Sequence, residues 1–134
     1  YKWKMVNKKS TSYKAIEYVK NYERKEGREV KDVQNDRKYN GLDLISKNGA
    51  VRKIEVKGTT KEKFFPGFLG TEFTNNKKLK ATHLYVVHIK NNKYALYIIP
   101  RSKIKTKWVK KVPTYRITSS EAKKELLSEK YKVK

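Results

Sequence analysis

A mixed α/β fold, with one sheet and helices packed on it, is what this sequence predicts, and three observations carry the prediction. Apolar residues recur at helical spacing near both ends of the chain. Between them lie several short runs rich in Val, Ile, Leu and Tyr, bounded by turn residues. Asn48-Gly49, set between two such runs, is a strong hairpin signal.

Ser10, Thr11 and Ser12 offer N-cap oxygens before Tyr13. Residues 15–26 favour helix, with Ala15, Ile16, Val19 and Tyr22 or Glu23 on one face, and Gly27 is the expected stop. Residues 28–33 alternate toward a strand, and the polar stretch 34–41 reads as turns. Residues 42–46 form the next strand and 51–57 its hairpin return; pairing about Asn48-Gly49 sets Ser46 opposite Val51 and Asp43 opposite Ile54. The stretch 58–76 is irregular and contains the aromatic run Phe64-Phe65-Pro66-Gly67-Phe68. Leu79 and Ala81 suggest a short helix. Residues 82–89 and 94–99, joined by Asn91-Asn92, are apolar enough to be central strands covered on both faces. A basic linker holding Trp108 follows, then a short strand over 115–118. Thr118 with Glu121 resembles a capping box for a closing helix over 122–131.

Length fits one domain over residues 1–134. The chain opens on Tyr1 rather than methionine, which suits a processed product or a piece of a longer protein. Thirty-five Lys and Arg against 13 Asp and Glu give a formal charge of +22, spread over most of the chain. Self-repulsion on that scale opposes compaction, and a polyanion relieves it. Nucleic acid is therefore the first partner to consider and an anionic membrane surface the second. Lysine-rich surfaces also serve solubility and heat tolerance. No apolar run is long enough to span a bilayer, and no signal peptide is visible. Ten Tyr, four Phe and two Trp argue against a disordered chain. The absence of cysteine excludes disulfides and thiolate zinc sites. His83 and His88, five residues apart in one strand, face opposite ways and make no ligand pair.

The chemistry concentrates in Gly41-Leu42-Asp43 and Ile54-Glu55-Val56-Lys57-Gly58. Side chains two apart on a strand share a face, so Glu55 and Lys57 converge on one spot. The hairpin brings Asp43 beside them if its register or a bulge turns it onto that face. Two carboxylates can hold a divalent cation, and a lysine can sit against a phosphate: the equipment of a metal-dependent nuclease. An ordinary amphipathic strand fits the same spacing.

These two segments resemble the PD-(D/E)xK nuclease superfamily, which includes restriction endonucleases and Holliday junction resolvases. Asp43 resembles its first strand carboxylate and Glu55-Val56-Lys57 its E-x-K element. The closer resemblance is to the small domain at the C-terminus of the plant protein NO VEIN, which recurs in prokaryotic restriction and defence proteins. It extends over about residues 12–99. The superfamily's proline before the first carboxylate is missing here; it is not a ligand, so the chemistry does not depend on it.

The resemblance implies a restriction-endonuclease-like mixed β-sheet flanked by helices, and a catalytic set of Glu17, Asp43, Glu55 and Lys57. Glu17 enters as the first-helix glutamate that many members add; a surface glutamate paired with a basic neighbour is the plainer role for it. Asp43, Glu55 and the Val56 carbonyl would hold Mg2+ or Mn2+, and Lys57 would stabilise charge on the phosphate. The implied function is hydrolysis of phosphodiester bonds, in DNA rather than RNA. The alternative is a noncatalytic nucleic-acid-binding domain on the same scaffold, and a protein-interaction module is a third reading. Lys61, Lys63, Lys77, Lys78 and Lys80 are candidates for phosphate contact. Trp108, among lysines, either stacks on a base or pins its linker to the core, and the Phe64, Phe65 and Phe68 loop either wedges bases or closes the core. Cutting two strands would suit a homodimer, and defence relatives suggest membership of a larger restriction or defence protein. The expected location is cytoplasmic or nucleoid-associated, or nuclear in a eukaryote.

Overall fold

The structure is a computed structural model that describes residues 10–39, 41–61, 80–112, 114–117 and 119–133. Helix α1 (Thr11–Lys25) starts where the Ser10 hydroxyl accepts the Tyr13 N–H at 3.1 Å. It stops in a Schellman motif, with Arg28 N–H donating to Glu23 O and Gly27 N–H to Arg24 O, both at 3.0 Å. Its buried face is Ala15, Ile16, Val19 and Glu23, as the helical spacing predicts.

Five strands follow in one sheet: β1 (Glu29–Asp32), β2 (Leu44–Asn48), β3 (Ala50–Thr59), β4 (His83–Lys90) and β5 (Lys93–Pro100). Their spatial order is β1-β2-β3-β4-β5. Only β3 and β4 are parallel; the remaining neighbours are antiparallel, as hairpins dictate. Asn91 and Asn92, with φ of 50° and 62°, turn the β4–β5 hairpin. Two strands, β6 (Val109–Val112) and β7 (Thr114–Ile117), pair separately, and α2 (Ser120–Leu126) closes the order.

The sheet buries both faces. On one, Ala15, Ile16 and Val19 of α1 pack with Leu44, Ile54, Val56, Tyr85, Val87 and Leu96. On the other, Ile45, Leu84, Val86 and Ile99 pack with Trp108, Ile117 and the α2 residues Ala122 and Leu126. Strand β4 contributes to both clusters, which is why Leu84 to Val87 reads as an unbroken apolar run.

Several expectations are corrected. β5 is not central: among the described residues β4 is its one strand neighbour, and its outer side is covered by the C-terminal segment instead. There Ile98 N–H donates to Tyr131 O at 3.0 Å and Val133 N–H to Leu96 O at 2.6 Å, which blunts the sheet edge. Residues 80–82 are bends leading into β4, with no helix at Ala81, while Leu79 lies outside the described residues. The basic linker, expected over residues 101–111, contains two short 3-10 turns and all of β6 but its last residue. Helix α2 is shorter than predicted, and its cap is Ser119, whose hydroxyl accepts the Ala122 N–H at 3.3 Å.

The hairpin register also moves. Ser46 lies opposite Arg52 rather than Val51, and Leu44 opposite Ile54. Gly49 sits between the paired residues Asn48 and Ala50 at φ +76°, a conformation that glycine adopts without steric cost. No helix among the described residues is long and apolar enough to cross a membrane.

Candidate functional site

Strand β3 sets the site's frame. Ile54 and Val56 face α1, so the alternation turns Glu55 and Lys57 toward the opposite face. Lys57 Nζ stands 3.4 Å from Glu55 Oε1. Glu55 is 4 % exposed, whereas Lys57 remains half-buried.

Asp43 reaches the same spot through a break in the ladder. Its N–H donates to Ile54 O at 3.1 Å although the Cα partner of Ile54 is Leu44, so two consecutive residues address one, as in a bulge. Beyond this point β2 leaves the sheet, and the Asp43 side chain replaces its backbone: Oδ2 accepts the Val56 N–H at 2.8 Å. The N–H and C=O of one strand residue point to the same side, so Val56 turns its carbonyl toward the gap that β2 vacates. The Glu55 carboxyl group acts on Asp43 at short range and favours its ionised form. Burial pushes the Asp43 pKa above its ordinary 3.8, with the charge of Asp32 adding to the rise; the contacts with Glu55, Val56 N–H and Lys57 oppose it without prevailing.

The donor set is chemically suited to a hard cation. Two carboxyl groups in contact, with a backbone carbonyl turned toward them, supply the oxygen ligands that Mg2+ or Mn2+ takes. Water would have to complete the shell, because among the described residues no group of three or more His, Asp and Glu side chains gathers to hold a metal.

Glu17 is placed differently. It lies on the α1 surface, where Lys20 Nζ sits 2.9 Å from its Oε2 and 2.8 Å from Asp32 Oδ2. Burial disfavours the Lys20 charge, but the two carboxylates outweigh it and raise the pKa; Asp32, also penalised by burial, is lowered by Lys20 and Gln34. The sequence reading missed Lys20 and Asp32. The spacing of Glu17 and Lys20 is visible on a helix, but Asp32 joins them only through tertiary packing.

Among the expected phosphate contacts, Lys61 and Lys80 are exposed. Lys63, Lys77 and Lys78 lie outside the described residues, as do Phe64, Phe65 and Phe68. Trp108 is 2 % exposed inside the core beneath the sheet, with Lys105 Nζ 5.0 Å from its ring centroid. Its indole therefore packs and pins the linker; it is not presented for base stacking.

Gly58 closes the motif for a packing reason. A Cβ there would stand 2.7 Å from Ala15 Cβ and 3.0 Å from Thr11 O, so only glycine lets the start of α1 lie against β3. A second polar group lies on the α1 face. Glu23, fully buried, pairs with Arg28 at 3.3 Å, and the Tyr85 hydroxyl accepts from Arg52 at 2.7 Å. Burial, then the charges of Arg52 and Arg28, lower His83 to about 4, so its ring is neutral at physiological pH.

The family model of the NO VEIN protein's C-terminal domain matches residues 11–112. The chain belongs to this family. No curated protein and no solved structure matches it. The NO VEIN C-terminal match runs from the first residue of α1 to the last of β6. It therefore includes Asp43, Glu55, Lys57 and the close approach at Gly58, while β7 and α2 lie beyond the matched range.

Proposed function

We propose that this NO VEIN C-terminal domain is a metal-dependent nuclease built on a restriction-endonuclease-like, PD-(D/E)xK scaffold, acting on DNA in preference to RNA. The observation that carries the reading is the meeting of two carboxyl groups and one amine at the point where β2 leaves β3. Asp43, Glu55 and the Val56 carbonyl would hold Mg2+ or Mn2+. Such an ion, when bound, polarises the phosphate and lowers the pKa of its water. Lys57 is half-buried and able to move its ammonium from Glu55 to the nonbridging phosphate oxygens, where charge grows during attack. The same amine orients the attacking water or holds its proton. Glu17 would join only after exchanging its pairing with Lys20.

The test compares wild type with Asp43→Ala and Lys57→Ala on DNA and RNA of varied form, with Mg2+, Mn2+ or a chelator. Wild-type cutting should require the divalent ion. Either substitution should slow it about 100-fold or more, the scale of a lost charge-stabilising group. Equal cutting by all three proteins rejects the assignment.

A noncatalytic nucleic-acid-binding domain is the second reading. It is favoured by the near-complete burial of Glu55 and by the pairing of Lys57 with it, which describe a trio closed on itself. Salt-sensitive binding with no cutting under any metal would select it.

A further inference from the structure

We infer that β1 and the turn after it carry a sequence-independent contact for a nucleic-acid backbone, built from Lys31, Arg37 and Lys38 around Tyr39. The inference rests on the nucleic-acid part of the reading above and not on catalysis. Lys31 Nζ lies 5.7 Å and Lys38 Nζ 5.6 Å from the centroid of the Tyr39 ring. The ring attracts each ammonium, yet gathering two of them sets like charges together, and Arg37 adds a third next to Lys38. All three cations are exposed. Asp36 shares the segment and its Oδ1 accepts the Lys38 N–H at 3.0 Å, yet with 35 basic residues against 13 acidic ones the chain as a whole keeps a large cationic excess. An external polyanion does so and releases its own counterions.

Register puts this cluster on the site's side of the sheet. Lys31 lies opposite Ile45, and Ile45 opposite Lys53. Residues facing one another across strands share a face, and Lys53, Glu55 and Lys57 alternate along β3 onto it. Tyr39 packs against the apolar cluster of that same face. A series of backbone bonds ties the segment to Asp43. Val33 N–H donates to Asp43 O at 2.9 Å, Asp36 N–H to Val33 O at 3.1 Å, Tyr39 N–H to Asp36 O at 3.0 Å and Leu42 N–H to Tyr39 O at 2.8 Å. The cations therefore hold a fixed offset from the trio. β1 is two strand spacings from β3, about 10 Å, which a polymer bridges and a single phosphate does not. The Tyr39 ring is already engaged by the ammonium groups and the core, so the contact works through charge on phosphates rather than through base stacking.

The experiment is duplex DNA binding in chelator, which separates binding from cutting, as a function of salt. It compares wild type, the pair Lys31→Gln with Lys38→Gln, and a charge-matched pair, Arg24→Gln with Lys25→Gln, at the exposed end of α1 on the other face. Losing two phosphate contacts should reduce the slope of log K against log salt by about 1.8 and weaken binding about tenfold, equally for unrelated sequences. The α1 pair should leave both nearly unchanged. Equal weakening by the two pairs, an unchanged slope, or no wild-type binding overturns the inference. Failure of the nuclease reading alone would look different: a wild-type chain that binds with its full salt slope yet cuts with no metal.

Discussion

Asp43 is the residue whose environment opposes its own charge. Its pKa is raised by burial, so the folded state holds the proton more tightly than the unfolded chain. The sign follows: the contribution favours folding below the ordinary 3.8 and is lost as pH rises through the raised value. At neutral pH burial penalises the ionised side chain, against the bond it accepts from the Val56 N–H. Asp43→Asn keeps an acceptor for the Val56 N–H and offers its amide to Glu55 without charge. It should stabilise the chain at pH 7 by on the order of 1 kcal/mol, as relief of site strain commonly does. The gain should shrink as pH falls toward 4, where the wild-type carboxyl regains its proton. Urea unfolding at both pH values measures this, and a less stable Asn variant at pH 7 contradicts it. Glu23 shows that burial by itself does not mark a site: that side chain is hidden more completely than Asp43, but it is tied to Arg28 and holds the end of α1.

At the scale of elements, the contact between α1 and β3 determines whether the site forms, because β3 carries Glu55 and Lys57 while α1 covers its other face. Gly58 sits at the closest point. Gly58→Ala places a methyl group 2.7 Å from Ala15 Cβ and 3.0 Å from a backbone oxygen, neither of which is the end of a flexible side chain. Overpacking of this kind costs about 1–3 kcal/mol. A thermal midpoint lowered accordingly is expected, together with weakened Asp43–Glu55 geometry; an unchanged midpoint would mean that the helix start shifts freely. The elements with local signals were legible in the sequence. The face of α1 follows from the spacing of Ala15, Ile16 and Val19, and both hairpins follow from Asn48-Gly49 and Asn91-Asn92. What failed was non-local or depended on one residue. The register about Gly49 differs by a single position, which local turn chemistry does not settle. The cover on the outer side of β5 depends on the C-terminal segment folding back, and Lys20 meets Asp32 only when β1 docks beside α1. Gly58 closes a sequence motif, but its reason lies far away along the chain, at Ala15 and Thr11 of α1.

For the whole molecule, charge is the dominant quantity. If every one of the 13 acidic residues neutralised a base, the 35 Lys and Arg would still leave the +22 excess. The described ion pairs consume acids at a few places, among them Lys20 with Glu17 and Asp32, Arg28 with Glu23, and Lys57 with Glu55. Two salt effects then compete. Salt screens the buried pairs of Glu23 and Glu55 only weakly, and weakening the more exposed ones lowers stability by little, because such pairs contribute under about 1 kcal/mol each. Salt also screens repulsion among the excess cations over longer distances, as the Debye length falls from about 30 Å at 0.01 M to about 8 Å at 0.15 M. With so large an excess the second effect should win, and the thermal midpoint should rise over that range by a few degrees. Duplex DNA at low salt should raise it further, since a ligand that binds only the folded state stabilises it by mass action, and added salt should erase that part of the gain. Differential scanning fluorimetry across salt, with and without duplex, separates the two contributions. A midpoint that falls with salt would show that ion pairing outweighs repulsion, and a duplex without effect at low salt would remove the charge argument for a nucleic-acid partner.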